Sequence, residues 1–274
     1  MSGAGMDASA ESLPSAGPTA QARSADWTVV VPVKAFAAAK TRLGPVVPAE
    51  ARAALARAFA LDTIAAARAA RNVGRIVVVT GEVDLGSPLP EGVELVREPQ
   101  SAPAEGHAPP DGAQAGSPAR PAPTGLTAAI DAGVDHARTH GLAPVAVLLG
   151  DLPSLRTSEL EFALEAAARH PLAFVADADG TGTTLATAAE GVPMRPAFGE
   201  QSAARHREAG FADLAGSAPF ASLRRDVDTV EALERALQLG VGGRTAEAVA
   251  ALAEGSLPHT GFRPAQPAER RSTT

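Results

Sequence analysis

The stretch Val145-Ala146-Val147-Leu148-Leu149-Gly150-Asp151-Leu152-Pro153 decides the fold. Its apolar run is too short for a helix and ends in turn formers, so it reads as a strand buried on both faces with a carboxylate at its end. Runs of the same kind occupy Trp27 to Val33, Arg75 to Thr80, Val93 to Val96 and Leu172 to Ala176, the third interrupted by Glu94. Between them, Ala49 to Arg71, Leu126 to His140, Ser158 to Arg169 and Ser202 to Ala209 carry alanine, leucine and charge at helical spacing. Strands that alternate with helices predict an α/β fold: a single domain with a mostly parallel sheet and helices on both faces. In such sheets ligands bind beyond the carboxyl ends of the strands, so the residues following each run are where chemistry is sought.

The rest of the chain bounds the answer. Of 274 residues, 45% are apolar, enough for a sizeable core, yet no apolar run approaches the length that spans a bilayer. The absence of cysteine excludes disulfides, thiolate metal sites and cysteine nucleophiles. The polar, alanine-rich start lacks the basic and apolar regions of a signal peptide, which predicts a cytoplasmic location. A net charge of −7, from 24 basic and 31 acidic residues, together with 3% aromatics and no tyrosine, argues against nucleic acid as a partner. Residues 1–25 and 257–274 read as disordered tails, and 99–123 as a Pro/Ala/Gly-rich insertion in a domain spanning 26–256.

After the first run comes Pro32-Val33-Lys34-Ala35-Phe36-Ala37-Ala38-Ala39-Lys40-Thr41-Arg42-Leu43-Gly44, which holds both lysines of the chain. A lysine point charge suits phosphate oxygens, and Arg42 can grip a second phosphate through two hydrogen bonds. The bland alternative is the solvated first turn of a helix, and the spacing of a Walker A loop is absent. Asp151 is a candidate Mg²⁺ ligand, with Gly150 admitting a ligand to the backbone; alternatively it caps the next helix. In Arg225-Asp226-Val227-Asp228-Thr229 the period of a strand puts both carboxylates on one face, able to share a cation, although Asp228 and Thr229 could equally start a helix.

Asp179-Gly180-Thr181-Gly182-Thr183-Thr184 reads as a turn rich in hydroxyls and exposed N–H groups. Phe198-Gly199-Glu200-Gln201-Ser202-Ala203-Ala204-Arg205-His206 places Gly199 and Ser202 before a helix whose free N–H groups attract an anion. Read singly, these are an ordinary glycine turn and an ordinary serine cap. His136 and His140 have helical spacing but lack a third zinc ligand, and Ser202 with His206 lacks the strained elbow of a hydrolase.

Taken in order, these segments, with Gly125-Leu126 between them, resemble the 2-phospholactate or phosphoenolpyruvate guanylyltransferase family of coenzyme F-420 biosynthesis, from about Trp27 to Leu239. The resemblance implies the nucleotidyltransferase version of the nucleotide-diphospho-sugar transferase-like fold. It implies transfer of GMP from GTP to the phosphate of phosphoenolpyruvate or 2-phospho-L-lactate, with release of pyrophosphate. Asp151, Asp226 and Asp228 would then hold Mg²⁺, and Lys34, Lys40, Arg42 and Gly125 the nucleotide. Thr184, or its neighbour Thr183, would contact the acid together with Gly199 and Ser202. Catalysis would fall to Lys40, Arg42 and Asp151. Two departures stand out: Thr127, where the family usually has asparagine, and the 99–123 insertion. The rival readings are a metal-dependent glycosyltransferase and a non-catalytic nucleotide-binding regulator. A homodimer is compatible with the resemblance.

Overall fold

The computed structural model describes residues 26–36, 39–44, 47–83, 85, 90–99, 125–216 and 220–255. The expected tails and all but the first residue of the expected insertion lie outside these. One sheet of seven strands forms the centre: β1 (Trp27–Val33), β2 (Val73–Thr80), β3 (Val93–Arg97), β4 (Val145–Leu148), β5 (Leu172–Ala176), β6 (Thr183–Ala188) and β7 (Ala212–Asp213). Their spatial order is β3-β2-β1-β4-β6-β5-β7, and all neighbours run parallel except β6, which is antiparallel to both β4 and β5.

The helices are α1 (Ala49–Ala69), α2 (Leu126–Thr139), α3 (Thr157–Ala167), α4 (Ser202–Glu208), α5 (Val230–Leu239) and α6 (Gly243–Gly255). Strand periodicity divides the core. Val29, Val31 and Val33 of β1 pack on one face with Ala60 and Ile64 of α1 and Leu160 and Leu164 of α3. Val30 points the other way, toward Ile130 and Val134 of α2 and Ala203 of α4. The expected helices on both faces are therefore present. Helix α1 is apolar on two sides, because Leu55 and Phe59 join Leu43, Val227, Leu233 and Val249 in a further cluster under α5 and α6. Among the described residues no helix is long and apolar enough to cross a membrane.

Strand β6 was not legible as a strand: Thr183 and Thr184 read as part of a turn, and Thr-Thr-Leu-Ala-Thr-Ala lacks a branched apolar centre. It is nevertheless wholly buried, and Thr187 Oγ1 donates to Ala173 O at 3.2 Å. Because β1 is flanked by β2 on one side and β4 on the other, the chain order reverses there. A crevice outside the carboxyl ends of β1 and β4 follows from that topology.

Candidate active site

A cavity of about 760 Å³ occupies this crevice, and Lys34, Lys40, Arg42, Asp151, Asp226 and Asp228 all line it. Asp151 follows β4, its position fixed from below by Thr63 of α1, whose Oγ1 accepts from Leu152 N at 3.1 Å and donates to Phe59 O at 2.8 Å. Gly150 has a second role beside the expected one. A Cβ there would sit 3.1 Å from Val33 Cγ2 and 3.2 Å from Pro32 O, so the glycine admits β1 to close approach as well as facing the cavity.

The segment carrying Asp226 and Asp228 is not a paired strand but is extended and held at both edges. Val227 N donates to Asp151 O at 3.1 Å, Ala178 N to Arg224 O at 2.8 Å, and the Arg224 guanidinium to the carbonyls of Ala176 and Asp177. Alternation then buries Val227 in the cluster under α5 while both aspartates face the cavity. Thr229, not Asp228, caps α5 by accepting from Ala232 N at 3.2 Å, which frees Asp228.

Carboxylate oxygens of Asp151, Asp226 and Asp228 lie within 4.8 Å of one another. Lys40, in a left-handed conformation with φ 56°, directs its ammonium to Asp151 Oδ2 at 2.5 Å and Asp228 Oδ1 at 2.9 Å. Burial works against its charge, but the two aspartates outweigh it and hold the Lys40 pKa above the ordinary value. Burial likewise opposes ionisation of Asp228, yet Lys40, Arg42 and Lys34 draw its pKa down. Asp226 has no such partner: burial, then repulsion from Asp151, Asp228 and Asp177, pushes it up to about 7. Asp151 Oδ1 is buried without a hydrogen bond. Three hard oxygen donors, one of them orphaned and one short of positive charge, fit a divalent cation such as Mg²⁺. Lys34 and Arg42 are exposed at the cavity, free of ion pairs with described residues.

Across the cavity lining lie Gly199, Ser202 and Thr183. Thr183 is the inward threonine; Thr184 does not line the cavity, and its fully buried Oγ1 reaches Val175 O at 3.5 Å. Gly125 is also outside the lining, at the N-cap of α2, where Leu126 takes its place. Nor are the first N–H groups of α4 free as expected, since Ser202 N donates to Gly199 O at 3.2 Å and Ala203 N to Thr181 O at 3.1 Å. What Ser202 offers is its hydroxyl, 3.1 Å from Thr183 Oγ1. One lining residue, Asp177, carries no signal strong enough to be singled out in the sequence. Asp177 lines the cavity and shapes the β5–β6 turn by accepting from Thr181 N and Gly182 N at 3.0 and 2.8 Å, a role signalled only by an acid shortly before glycines. His206, which with Ser202 lacks the elbow of a hydrolase, is fully buried beside Thr183, with Nδ1 3.0 Å from Oγ1.

The fold does bring a third group, Glu94, to His136 and His140. Arg75 already fills that cluster, donating to both Glu94 oxygens at 2.6 and 2.7 Å and lying 2.8 Å from His140 Nδ1. Those hydrogen bonds, with one from His136, hold the Glu94 carboxyl down to about 2. The group is a satisfied ion-pair network.

A family model described as "Guanylyl transferase CofC like" matches residues 27–102. A phosphoenolpyruvate guanylyltransferase of Sanguibacter keddieii is 43% identical, covering 84% of this chain and 87% of its own. Another from Streptomyces scabiei is 45% identical, covering 82% of this chain and 97% of its own. A crystal structure from Desulfovibrio desulfuricans G20, described as a nucleotide-diphospho-sugar transferase, superposes with a TM-score of 0.55 at 17% identity over 84% of this chain and 95% of that one. At that identity the likeness speaks for the fold alone, and it agrees with the architecture expected from the motifs.

Proposed function

Because the chain belongs to the phosphoenolpyruvate guanylyltransferase family, we propose that it transfers GMP from GTP to the phosphate of phosphoenolpyruvate, releasing pyrophosphate, in coenzyme F-420 biosynthesis. The observation that carries this reading is the identity of 40–45% to relatives of that name across most of both chains. The geometry supports it, because one cavity presents a carboxylate trio able to hold a cation, basic side chains without ion pairs among the described residues and a pair of hydroxyls.

The chemistry asks for little beyond charge and position. A phosphate monoester is mostly dianionic at neutral pH, so its oxygen can form the new bond to the α-phosphorus of GTP without a general base. The bond from that phosphorus to the bridging oxygen breaks, and the electron pair leaves with pyrophosphate. Repulsion between two polyanions is the obstacle. Lys34 and Arg42, exposed at the cavity, would grip polyphosphate oxygens, while Thr183, Ser202 and the Gly199 backbone would orient the acid. Asp151, Asp226 and Asp228 would hold Mg²⁺, which supplies neutralisation of phosphate charge when bound. Lys40, tied to two of these carboxylates, positions them and sets their spacing.

The proposed setting is the cytoplasm, with GTP and phosphoenolpyruvate as partners, without nucleic acid; a homodimer is compatible with it. The test is pyrophosphate release from GTP and Mg²⁺ with phosphoenolpyruvate, 2-phospho-L-lactate or 3-phosphoglycerate offered in parallel, and ATP and CTP as controls. Release that requires phosphoenolpyruvate and GTP supports the reading. Release with 2-phospho-L-lactate alone would reassign the acid, and silence with every acid would return weight to a glycosyltransferase or a regulator.

A further inference from the structure

His206 is fully buried and boxed by rings, stacked on Phe174 at 5.4 Å and edge-on to Phe198 and Phe211 at 5.4 and 4.8 Å between centroids. Desolvation in this box holds its pKa down to about 4, so the imidazole is neutral at physiological pH and carries one N–H. Which nitrogen carries it follows from the neighbours. Ala197 N–H lies 3.0 Å from Nε2 and can only donate, so Nε2 is the acceptor. The proton is then on Nδ1, 3.0 Å from Thr183 Oγ1.

Thr183 Oγ1 therefore cannot give its hydrogen to the ring. Its only other described partner is Ser202 Oγ at 3.1 Å, which likewise has no further hydrogen bond among the described residues. Two hydroxyls sharing one mutual hydrogen bond hold two hydrogens and use one. Whichever of them donates to the other, one O–H is left over, and both residues line the cavity. With the opposite tautomer, Nδ1 would accept the Thr183 hydrogen, Thr183 would accept that of Ser202, and none would remain for a ligand.

We infer that His206 is a positioning residue: by its fixed tautomer it leaves the Thr183–Ser202 pair with one hydroxyl donor for an acceptor oxygen of the phosphorylated acid. This rests on the reading of the cavity as a guanylyltransferase site, and it deepens that reading by assigning the acid's recognition to a histidine that never touches it. Asparagine at 206 can return an N–H near the Nδ1 position; phenylalanine keeps the ring packing and removes both polar edges; glutamine reaches only toward the Nε2 position.

The experiment compares His206→Asn, His206→Gln and His206→Phe by steady-state kinetics, with phosphoenolpyruvate and GTP varied separately. The expected result is a KM for phosphoenolpyruvate raised about tenfold or more in the phenylalanine and glutamine variants, as for loss of a hydrogen bond to a charged group. The KM for GTP should stay within about twofold, and asparagine should recover most of the loss. Equal rises in both KM values, or asparagine no better than phenylalanine, overturns the inference. Should the phenylalanine variant not fold, nitrogen NMR of the wild-type imidazoles, with the His206 signals identified by their absence from the asparagine variant, reads the tautomer directly. Protonated Nε2 overturns the inference even if the enzyme is active. Absence of any acid-dependent turnover in the wild type would instead overturn the guanylyltransferase reading while leaving the tautomer measured.

Discussion

Lys40 Nζ lies 2.5 Å from Asp151 Oδ2, across a sequence separation of 111 residues, and the lysine side chain is only 8% exposed. The lysine, expected to face phosphate, lines the cavity while paired with two of its three carboxylates, Asp151 and Asp228.

Lys40→Met should destabilise the metal-free protein by about 3 kcal/mol, since removing one partner of a largely buried pair strands the other. For a domain of this size that is a fall of roughly 6–12 °C in melting temperature. Mg²⁺ at millimolar concentration should restore part of it. A melting curve unchanged without metal would contradict the counter-ion role.

Asp226→Asn should abolish pyrophosphate release while leaving nucleotide binding measurable. In the metal-free wild type the Asp226 pKa is raised to about 7 above an ordinary 3.8. The native state therefore binds that proton more tightly than the unfolded chain, so the stability it contributes is complete below pH 3.8 and is lost as pH rises through about 7. The variant should lack this decline. Denaturation midpoints with chelator between pH 4 and 8 decide it, and parallel slopes in the two proteins would count against the shift.

His206 gives the opposite slope. Its pKa is lowered from 6.5 to about 4, so its contribution is present above pH 6.5 and is lost as pH falls through about 4. His206→Asn should flatten the stability profile in that acid window, and a profile as steep as the wild type's would show that another group titrates there.

Thr63→Val removes the hydroxyl that receives Leu152 N, leaving a buried N–H unpaired at a cost of about 1–3 kcal/mol. Because Leu152 follows Asp151, kcat should fall as well. Urea denaturation and turnover measured together separate this from a purely structural loss, for which specific activity of the folded fraction would be unchanged.

The continuous apolar strands were legible because burial on both faces leaves an unbroken run of branched residues, as in Val29-Val30-Val31 and Val77-Val78-Val79. Strand β6 was hidden because threonine and alanine make a weak apolar signal, and its partners are set by a hairpin to β5 and not by its own pattern. Local alternation sufficed to put Asp226 and Asp228 on the same side as each other. That they face Asp151 depends on the Val227 to Asp151 hydrogen bond, which links residues distant in sequence. The choice between Thr183 and Thr184 was illegible for the same reason: which of two adjacent threonines lines the cavity is settled by register in the sheet, where a slip of one residue inverts every side chain.

The cluster on the outer side of α1 holds Leu43, one turn beyond Lys40, and Val227, flanked by the two aspartates, against the same Leu55 and Phe59. The positive and negative halves of the site are thereby bolted to a common plate. Neither can swing away from the other without opening that plate, so Lys40 and the two aspartates keep their spacing only while the apolar contacts beneath them hold.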